Sequence, residues 1–189
     1  MLLFQIGSQN VRAKYGVAGM YFNVADVLMK SSGYKALETI DDCLEFDWNG
    51  KSDGEIKGSV AIIRTDSGLW VSGDIVVGMQ FDCCRCLNAA SQVVDFRLEE
   101  EYLPYRDIIT GRLIIESDDY DGFRIGDDNL LDLSEAIRQY TSVSSPINPL
   151  CNSKCKGLCS HCGANLNKIT CECKIERKDP RWAPLIDLL

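Results

Sequence analysis

The chain has 189 residues, 46% hydrophobic content and a formal net charge of −8, which suits one ordinary domain with a small appendage. No apolar run approaches the roughly 20 residues that span a membrane, and the first residues lack the basic start of a signal peptide. We therefore expect a cytoplasmic protein without a membrane partner. The excess of carboxylates disfavours direct binding of most of the chain to a phosphate backbone.

In chain order, the first strong signal of secondary structure begins near residue 55. Before it, only a strand at residues 2–6 and a short helix at residues 25–30 are predicted. Apolar residues then alternate from Ile56 to Ile62, turn residues follow at 65–68, and the alternation resumes from Leu69 to Met79. A third alternating segment covers residues 90–102. These segments predict an antiparallel β meander or a partly open barrel.

An acidic stretch interrupts the strand pattern between residues 104 and 129. Between residues 116 and 128, six carboxylates face only Arg124. We interpret the stretch as a solvated loop, although a docking surface for a basic partner is an alternative. A cation site is a further alternative, but the spacing of a calcium-binding loop is missing.

A helix is predicted at residues 132–143. Asp132 is a suitable N-cap, Glu135 completes a capping-box pair, and Pro146 prevents continuation of the helix. A short final helix is predicted from Asp179. The chain thus divides into an acidic α+β body, residues 1–150, with one main helix, and a cysteine-rich tail, residues 151–189.

Eight of the ten cysteines form four close pairs. In a reducing compartment such pairs favour metal binding over disulfides, and a secreted disulfide scaffold is the alternative. Soft thiolates in groups of four suit tetrahedral zinc, so we predict two zinc ions per chain. In chain order the four pairs are Cys83 and Cys86, Cys151 and Cys155, Cys159 and Cys162, and Cys171 and Cys173.

The spacing of the four pairs predicts how they combine. The third and fourth pairs are separated by eight residues and are expected to close locally, as in a compact zinc ribbon. By elimination, the first and second pairs share a long-range site that attaches the tail to the tip of the meander. We interpret Cys43 and Cys84 as buried small apolar residues or free thiols.

The sequence contains few of the residue groupings that catalytic sites use. The single histidine, His161, lies inside the third cysteine pair and is interpreted as a solvent-facing residue or a spare ligand. No phosphate-binding or dinucleotide-binding glycine motif is present, and four-cysteine zinc sites are closed and structural. A non-enzymatic protein is therefore expected. Redox chemistry at Cys83 and Cys86 is an alternative, in which Arg85 would lower the pKa of a neighbouring thiol.

Charge separates the tail from the body. Residues 151–189 contain seven cations and four carboxylates, a net charge of +3, which leaves −11 on residues 1–150. A basic protein partner therefore suits the body, and RNA suits the tail. The candidate RNA contacts are Lys154, Lys156, Lys168 and Lys174.

Several of these motifs together resemble one family. The segments are Cys83-Cys84-Arg85-Cys86-Leu87, Leu131-Asp132-Leu133, the run from Cys155 to Asn167, Cys171-Glu172-Cys173 and Asp179-Pro180-Arg181. They are similar to the YceD family, the large ribosomal RNA subunit accumulation proteins, in which serine is usual where Cys84 stands and proline where Ser160 stands.

The resemblance implies a factor in ribosome biogenesis that supports accumulation of large-subunit ribosomal RNA. Its implied partners are that RNA or its precursor particle, and a basic zinc-ribbon protein of the large subunit, whose gene is often adjacent. A thiol-based redox or zinc-handling protein is the alternative function.

Overall fold

The computed structural model describes residues 20–46, 52–114 and 121–173. The strand predicted at residues 2–6, the helix predicted from Asp179, and Lys174 lie outside the described residues. The elements are β1 (Tyr21–Asn23), α1 (Ala25–Leu28), β2 (Lys35–Phe46), β3 (Ser52–Arg64), β4 (Leu69–Asp82), β5 (Ala89–Pro104), β6 (Phe123–Ile125), β7 (Leu130–Asp132) and α2 (Ser134–Ser144).

Five strands form one open sheet in the order β2-β3-β4-β5-β6, and β1 pairs with β7 in a separate two-stranded sheet. Strands β2, β3 and β4 are antiparallel neighbours, whereas β6 pairs with β5 in parallel. The predicted predominance of antiparallel strands is confirmed. The sheet as a whole is mixed, because β6 follows β5 through a long connection and not through a hairpin.

The hydrophobic core covers one face of this sheet. Alternate residues of each long strand are buried, including Ile40, Ile56, Ile75 and Leu98, as period-two strands require. The helix α2 contributes Ile137, which is fully buried. Burial of one such side chain stabilises the fold by about 1.5–3 kcal/mol. The many buried side chains on this face therefore supply the main stabilisation of the sheet.

The main helix begins two residues later than predicted. Asp132 is the last residue of β7, and its Oδ1 accepts a hydrogen bond of 2.8 Å from the backbone N–H of Ser134. Leu133 is the N-cap residue, and no side chain caps it. Glu135 instead accepts a hydrogen bond from Gln139, so the predicted capping box is wrong.

Strands β1, β2, β6 and β7 are elements that the sequence analysis does not predict. Strand β6 lies inside the predicted acidic loop, and β7 follows that loop and includes Asp132, the predicted start of the helix. The short helix at residues 25–30 is confirmed over Ala25–Leu28. None of the helices in the described parts of the chain is long and apolar enough to cross a lipid bilayer.

The chain forms two compact units. The first, here called the body unit, comprises Met1–Gln80 and Ser91–Ile147. The second, here called the cysteine unit, comprises Phe81–Ala90 and Asn148–Leu189, and therefore contains the turn between β4 and β5 together with the tail. All four cysteine pairs belong to the cysteine unit.

Two glycines of β4 should respond in opposite ways to substitution by alanine. A Cβ at Gly73 would collide with the backbone oxygen of Ser59 and with Val60, whereas a Cβ at Gly78 would meet only the oxygen of Glu55, at 3.8 Å. We expect Gly73→Ala to lower the free energy of unfolding by about 1–3 kcal/mol. Gly78→Ala should leave it unchanged or raise it by up to about 1 kcal/mol.

Urea unfolding followed by far-ultraviolet circular dichroism measures both changes. Equal stability of the two variants would contradict the described packing of β3 against β4.

Candidate metal centre

The first and second cysteine pairs meet in one cluster. The Sγ atoms of Cys83, Cys86, Cys151 and Cys155 all lie within 4.8 Å of one another. The Sγ atoms of Cys86 and Cys151 are 3.5 Å apart, and those of Cys83 and Cys155 are 3.8 Å apart. A tetrahedral metal with bonds of about 2.3 Å to sulfur has ligands about 3.8 Å apart. The cluster therefore has the dimensions of a four-thiolate metal site.

The third and fourth pairs form a second cluster of the same size. The Sγ atoms of Cys159, Cys162, Cys171 and Cys173 also lie within 4.8 Å of one another. Cys159 is buried, Cys162 is exposed, and the other two are half-buried. The sequence reading predicted both combinations of pairs, and the structure brings the same residues together.

The first and third pairs share one backbone conformation, a turn that we call a cysteine knuckle. In each knuckle, the first cysteine donates its N–H to the carbonyl five residues later: Cys83 to Asn88 at 2.9 Å, and Cys159 to Ala164 at 2.8 Å. The residue after the second cysteine donates its N–H to the carbonyl of the first cysteine at 2.9 Å in both knuckles. These bonds hold two thiols on the same side of a tight turn.

The residue after the second cysteine of each knuckle has a left-handed backbone. It is Gly163 in one knuckle, with φ of 72°, and Leu87 in the other, with φ of 56°. Glycine adopts this conformation freely, but a leucine is strained there. The Leu87 side chain is 67% exposed, so burial of that side chain does not offset the strain.

Within the cysteine unit, the tail binds the first knuckle through the backbone. Cys84 donates its N–H to the carbonyl of Pro149 at 2.9 Å, and Leu158 donates to the carbonyl of Arg85 at 3.1 Å. Gly157 has φ of 75°, and a Cβ there would lie 3.1 Å from the Arg85 oxygen. A glycine is therefore needed where the tail crosses the knuckle.

Two residues beside the first cluster support it, and the sequence reading did not assign either role. Asn167 donates from its side-chain amide to the Sγ of Cys155 at 3.2 Å and accepts the N–H of Lys156 at 2.8 Å. Arg85 donates from its guanidinium to the carbonyl of Cys155 at 3.0 Å. The cluster also packs against Leu150 and Leu158. The presence of an asparagine among the tail cysteines is the only indication of this role in the sequence, because a buried thiolate needs a nearby hydrogen-bond donor.

Backbone amides favour the ionised form of one thiol in each cluster. The N–H of Cys151, followed by those of Arg85 and Cys86, lowers the pKa of Cys83 to about 6. The N–H groups of Cys162 and His161 lower the pKa of Cys159 to about 6. Arg85 thus acts on Cys83 through its backbone amide, while its guanidinium bonds to Cys155.

Neighbouring thiols have the opposite effect on other members of the clusters. The Cys86 and Cys155 side chains raise the pKa of Cys151 to about 12, and Cys162 raises the pKa of Cys173 to about 12. Four thiolates at this separation repel one another, so they do not all ionise on their own. A divalent cation would remove this repulsion, because a metal deprotonates its thiol ligands.

The remaining predicted residues lie on the surface. Cys43 and Cys84 are exposed free thiols, so the interpretation as buried apolar residues is wrong for both. His161 is exposed and lies outside the second cluster, as expected for a solvent-facing knuckle residue. Lys154, Lys156 and Lys168 are all exposed in the cysteine unit, so their side chains are accessible to a partner.

Comparison with known proteins identifies relatives of this chain. The family model described as "Large ribosomal RNA subunit accumulation protein YceD" matches residues 71–189, which include both clusters. "Large ribosomal RNA subunit accumulation protein YCED homolog 1, chloroplastic" from Arabidopsis thaliana is 28% identical over 185 residues, covering 86% of this chain and 56% of that protein. Its namesake from Zea mays is 30% identical over 141 residues, covering 61% of this chain and 47% of that protein.

An uncharacterized protein from Mycobacterium tuberculosis is 30% identical over 122 residues, covering 65% of this chain and 56% of that protein. The chain thus spans about half the length of the curated relatives that it matches. No solved structure matches the chain.

The two knuckles allow a matched test of backbone strain. Leu87→Gly should relieve a left-handed leucine and raise the stability of the first knuckle by up to about 1 kcal/mol. Gly163→Ala, at the equivalent position where no atom lies within 4 Å of the new Cβ, should lower the stability of the second knuckle by about 1 kcal/mol.

Amide hydrogen exchange at residues 83–88 and 159–164 measures each knuckle separately. If both substitutions change protection in the same direction, the shared knuckle conformation is contradicted.

Proposed function

The chain belongs to the YceD family, and from that membership we propose that it is a non-enzymatic ribosome biogenesis factor that supports accumulation of large-subunit ribosomal RNA. The observation that carries the proposal is the family match over residues 71–189, the segment that contains all eight clustered cysteines. The two plant relatives are named for accumulation of the same RNA.

We propose that each cysteine cluster binds one Zn²⁺ ion. Four thiolates, without histidine or carboxylate in the group, form a soft donor set that suits zinc better than the hard cations calcium or magnesium. Backbone amides and Asn167 stabilise negative charge on the sulfur atoms, as is usual around metal-bound ligands. The second cluster, with its knuckle and nearby fourth pair, would act as a zinc-ribbon-like element.

The proposed role of the metal is structural. A four-thiolate zinc has no open coordination position for water or substrate, which agrees with a non-enzymatic function. In the first cluster, the ion would join residues 83–86 to residues 151–155, in addition to the backbone hydrogen bonds that Cys84 and Arg85 make with the flanking Pro149 and Leu158. Dense reduced thiols suit a reducing compartment, and we propose the cytoplasm.

We propose that the cysteine unit contacts large-subunit ribosomal RNA through its lysines. Lys154, Lys156 and Lys168 are exposed and lie close in sequence to the cluster cysteines, and Lys174 follows Cys173. Each four-thiolate zinc centre would carry a charge of −2, so individual lysines, and not the net charge, would make the phosphate contacts. The acidic body unit suits a basic protein of the same particle.

Metal analysis tests the proposed sites directly. The reduced protein should contain two zinc ions per chain, Cys151→Ser should lower the content to one, and Cys84→Ser should leave it at two, because Cys84 lies outside both clusters. As pH falls, protonation of the thiolates should release the metal. One ion or none in the wild-type protein would contradict the proposal. Zinc that a mild oxidant releases readily would favour the alternative redox or zinc-handling function.

A genetic complementation experiment tests the biological role. Cells that lack the protein should contain less large-subunit than small-subunit ribosomal RNA. Wild type and Cys84→Ser should restore the ratio, whereas Cys83→Ser with Cys151→Ser should not, because the first cluster loses half of its thiolates. Quantitative sequencing of total RNA gives the ratio. A normal ratio in cells that lack the protein would overturn the proposed function.

A further inference from the structure

The outer face of the sheet, which points away from the core, is defined by the strand register. Lys35, Ile63 and Trp70 lie side by side on β2, β3 and β4, and Leu37, Ala61 and Ser72 form the next row. Strand β5 shares this face, since Arg97 bridges to Asp74 of β4 at 3.5 Å. All of these residues belong to the body unit.

An apolar patch lies at one end of this outer face. It consists of Leu37, Ile63 and Trp70, and Ala61, which pairs with Leu37, is only 9% exposed. Trp70 is 38% exposed and Leu37 is 42% exposed. Adjacent apolar side chains from three strands, including a tryptophan, differ from the single exposed apolar residues that are normal on a surface. Tryptophan is also the residue type most enriched among energetic hot spots of protein interfaces.

Carboxylates predominate over the rest of the face, whereas the cation Lys35 lies in the same row as Ile63 and Trp70. Ser67, in the turn before Trp70, donates a hydrogen bond to Glu101, which places that carboxylate beside the patch. Within the body unit, the outer-face residues of β2 to β5 whose side chains the structure describes carry seven carboxylates and three cations. Two of the cations are engaged by carboxylates, Lys57 by Glu55 at 2.5 Å and Arg97 by Glu99 at 2.7 Å. The carboxylates are Asp41, Glu45, Glu55, Asp74, Asp95, Glu99 and Glu101, and the cations are Lys35, Lys57 and Arg97.

We propose that this outer face binds a basic segment of a large-subunit ribosomal protein, with an apolar side chain of that segment against Trp70 and lysines or arginines over the carboxylates along the rest of the face. The proposal rests on the proposed function, which supplies the particle in which the partner is found. Protein interfaces combine apolar residues with charged and polar ones, and the excess of negative charge on this face selects a basic partner.

The same charges disfavour other occupants. A phosphate backbone would be repelled by carboxylates that outnumber the cations by four. A second copy of this chain would bring an equally acidic face, and like charges across an interface are costly. The patch is thus best matched by a partner of opposite charge that supplies one apolar anchor.

A capture experiment with two probes tests the proposal. The immobilised full-length protein is exposed either to RNA-free proteins extracted from large ribosomal subunits or to deproteinised large-subunit ribosomal RNA. Bound proteins are identified by mass spectrometry, and bound RNA is quantified. We expect the wild-type protein to capture a large-subunit protein rich in lysine and arginine, more weakly as salt rises.

Matched variants locate the binding surface. Trp70→Ser and Leu37→Ser should each reduce capture of that protein, by at least about tenfold for Trp70→Ser. Val143→Ser should retain it, because Val143 is an 88% exposed apolar residue of the same unit on helix α2. Glu101→Lys should weaken capture more than Asp127→Lys, the same charge change away from the sheet. Circular dichroism and zinc content should match wild type in all variants.

The remaining outcomes overturn the proposal. The first is that no large-subunit protein is captured. The second is that Trp70→Ser and Val143→Ser capture the protein equally, which is also the result if another segment of this chain covers the patch. The third is that Trp70→Ser loses RNA binding. Failure of the proposed function can be distinguished from failure of this docking proposal. In that case the RNA ratio in cells would not depend on the protein, and Lys154→Ala with Lys156→Ala would leave RNA capture unchanged.

Discussion

The arrangement of the cysteine unit depends on the convergence of four thiols from two distant segments of the chain. The knuckle at Cys83 and Cys86 is formed by the turn between two strands, whereas Cys151 and Cys155 lie more than 60 residues later. In the part of this unit that the structure describes, Leu150 and Leu158 are the half-buried apolar residues packed against the cluster. A small group of residues with so little apolar packing gains stability from a covalent or metal constraint, which agrees with a structural role for the proposed zinc.

The two units use different physical means to hold their chains together. The body unit buries alternate residues of long strands against helix α2, so the hydrophobic effect stabilises it and leaves the outer sheet face available. In the cysteine unit, backbone hydrogen bonds within the knuckles help to position the thiols. This difference suits a protein with two chemically distinct sets of exposed residues, lysines close in sequence to the cysteines and carboxylates on a sheet face that also has an apolar patch.

The sequence allowed prediction of features that depend on short-range spacing. The close cysteine pairs and the alternation of apolar and polar residues in β3, β4 and β5 are of this kind. Which cysteine pairs share a cluster could then be inferred by elimination. Strand β2 was missed because Glu38 occupies an inward position and breaks the alternation. The short strands β6 and β7 depend on pairing with distant segments, which no local pattern reveals. The role of Asn167 could not be predicted, because its hydrogen bond to the Sγ of Cys155 forms only once the tail has folded.

The most direct measurement compares the reactivity of two exposed cysteines in the protein as isolated with its metal. Both Cys84 and Cys151 are accessible to solvent, so their exposure alone predicts that an alkylating reagent modifies both. If Cys151 ligates a metal with Cys83, Cys86 and Cys155, mass spectrometry should find Cys84 modified quickly and Cys151 protected until the metal is removed. Equal rates of modification at Cys84 and Cys151 would contradict a metal site formed by the first two cysteine pairs.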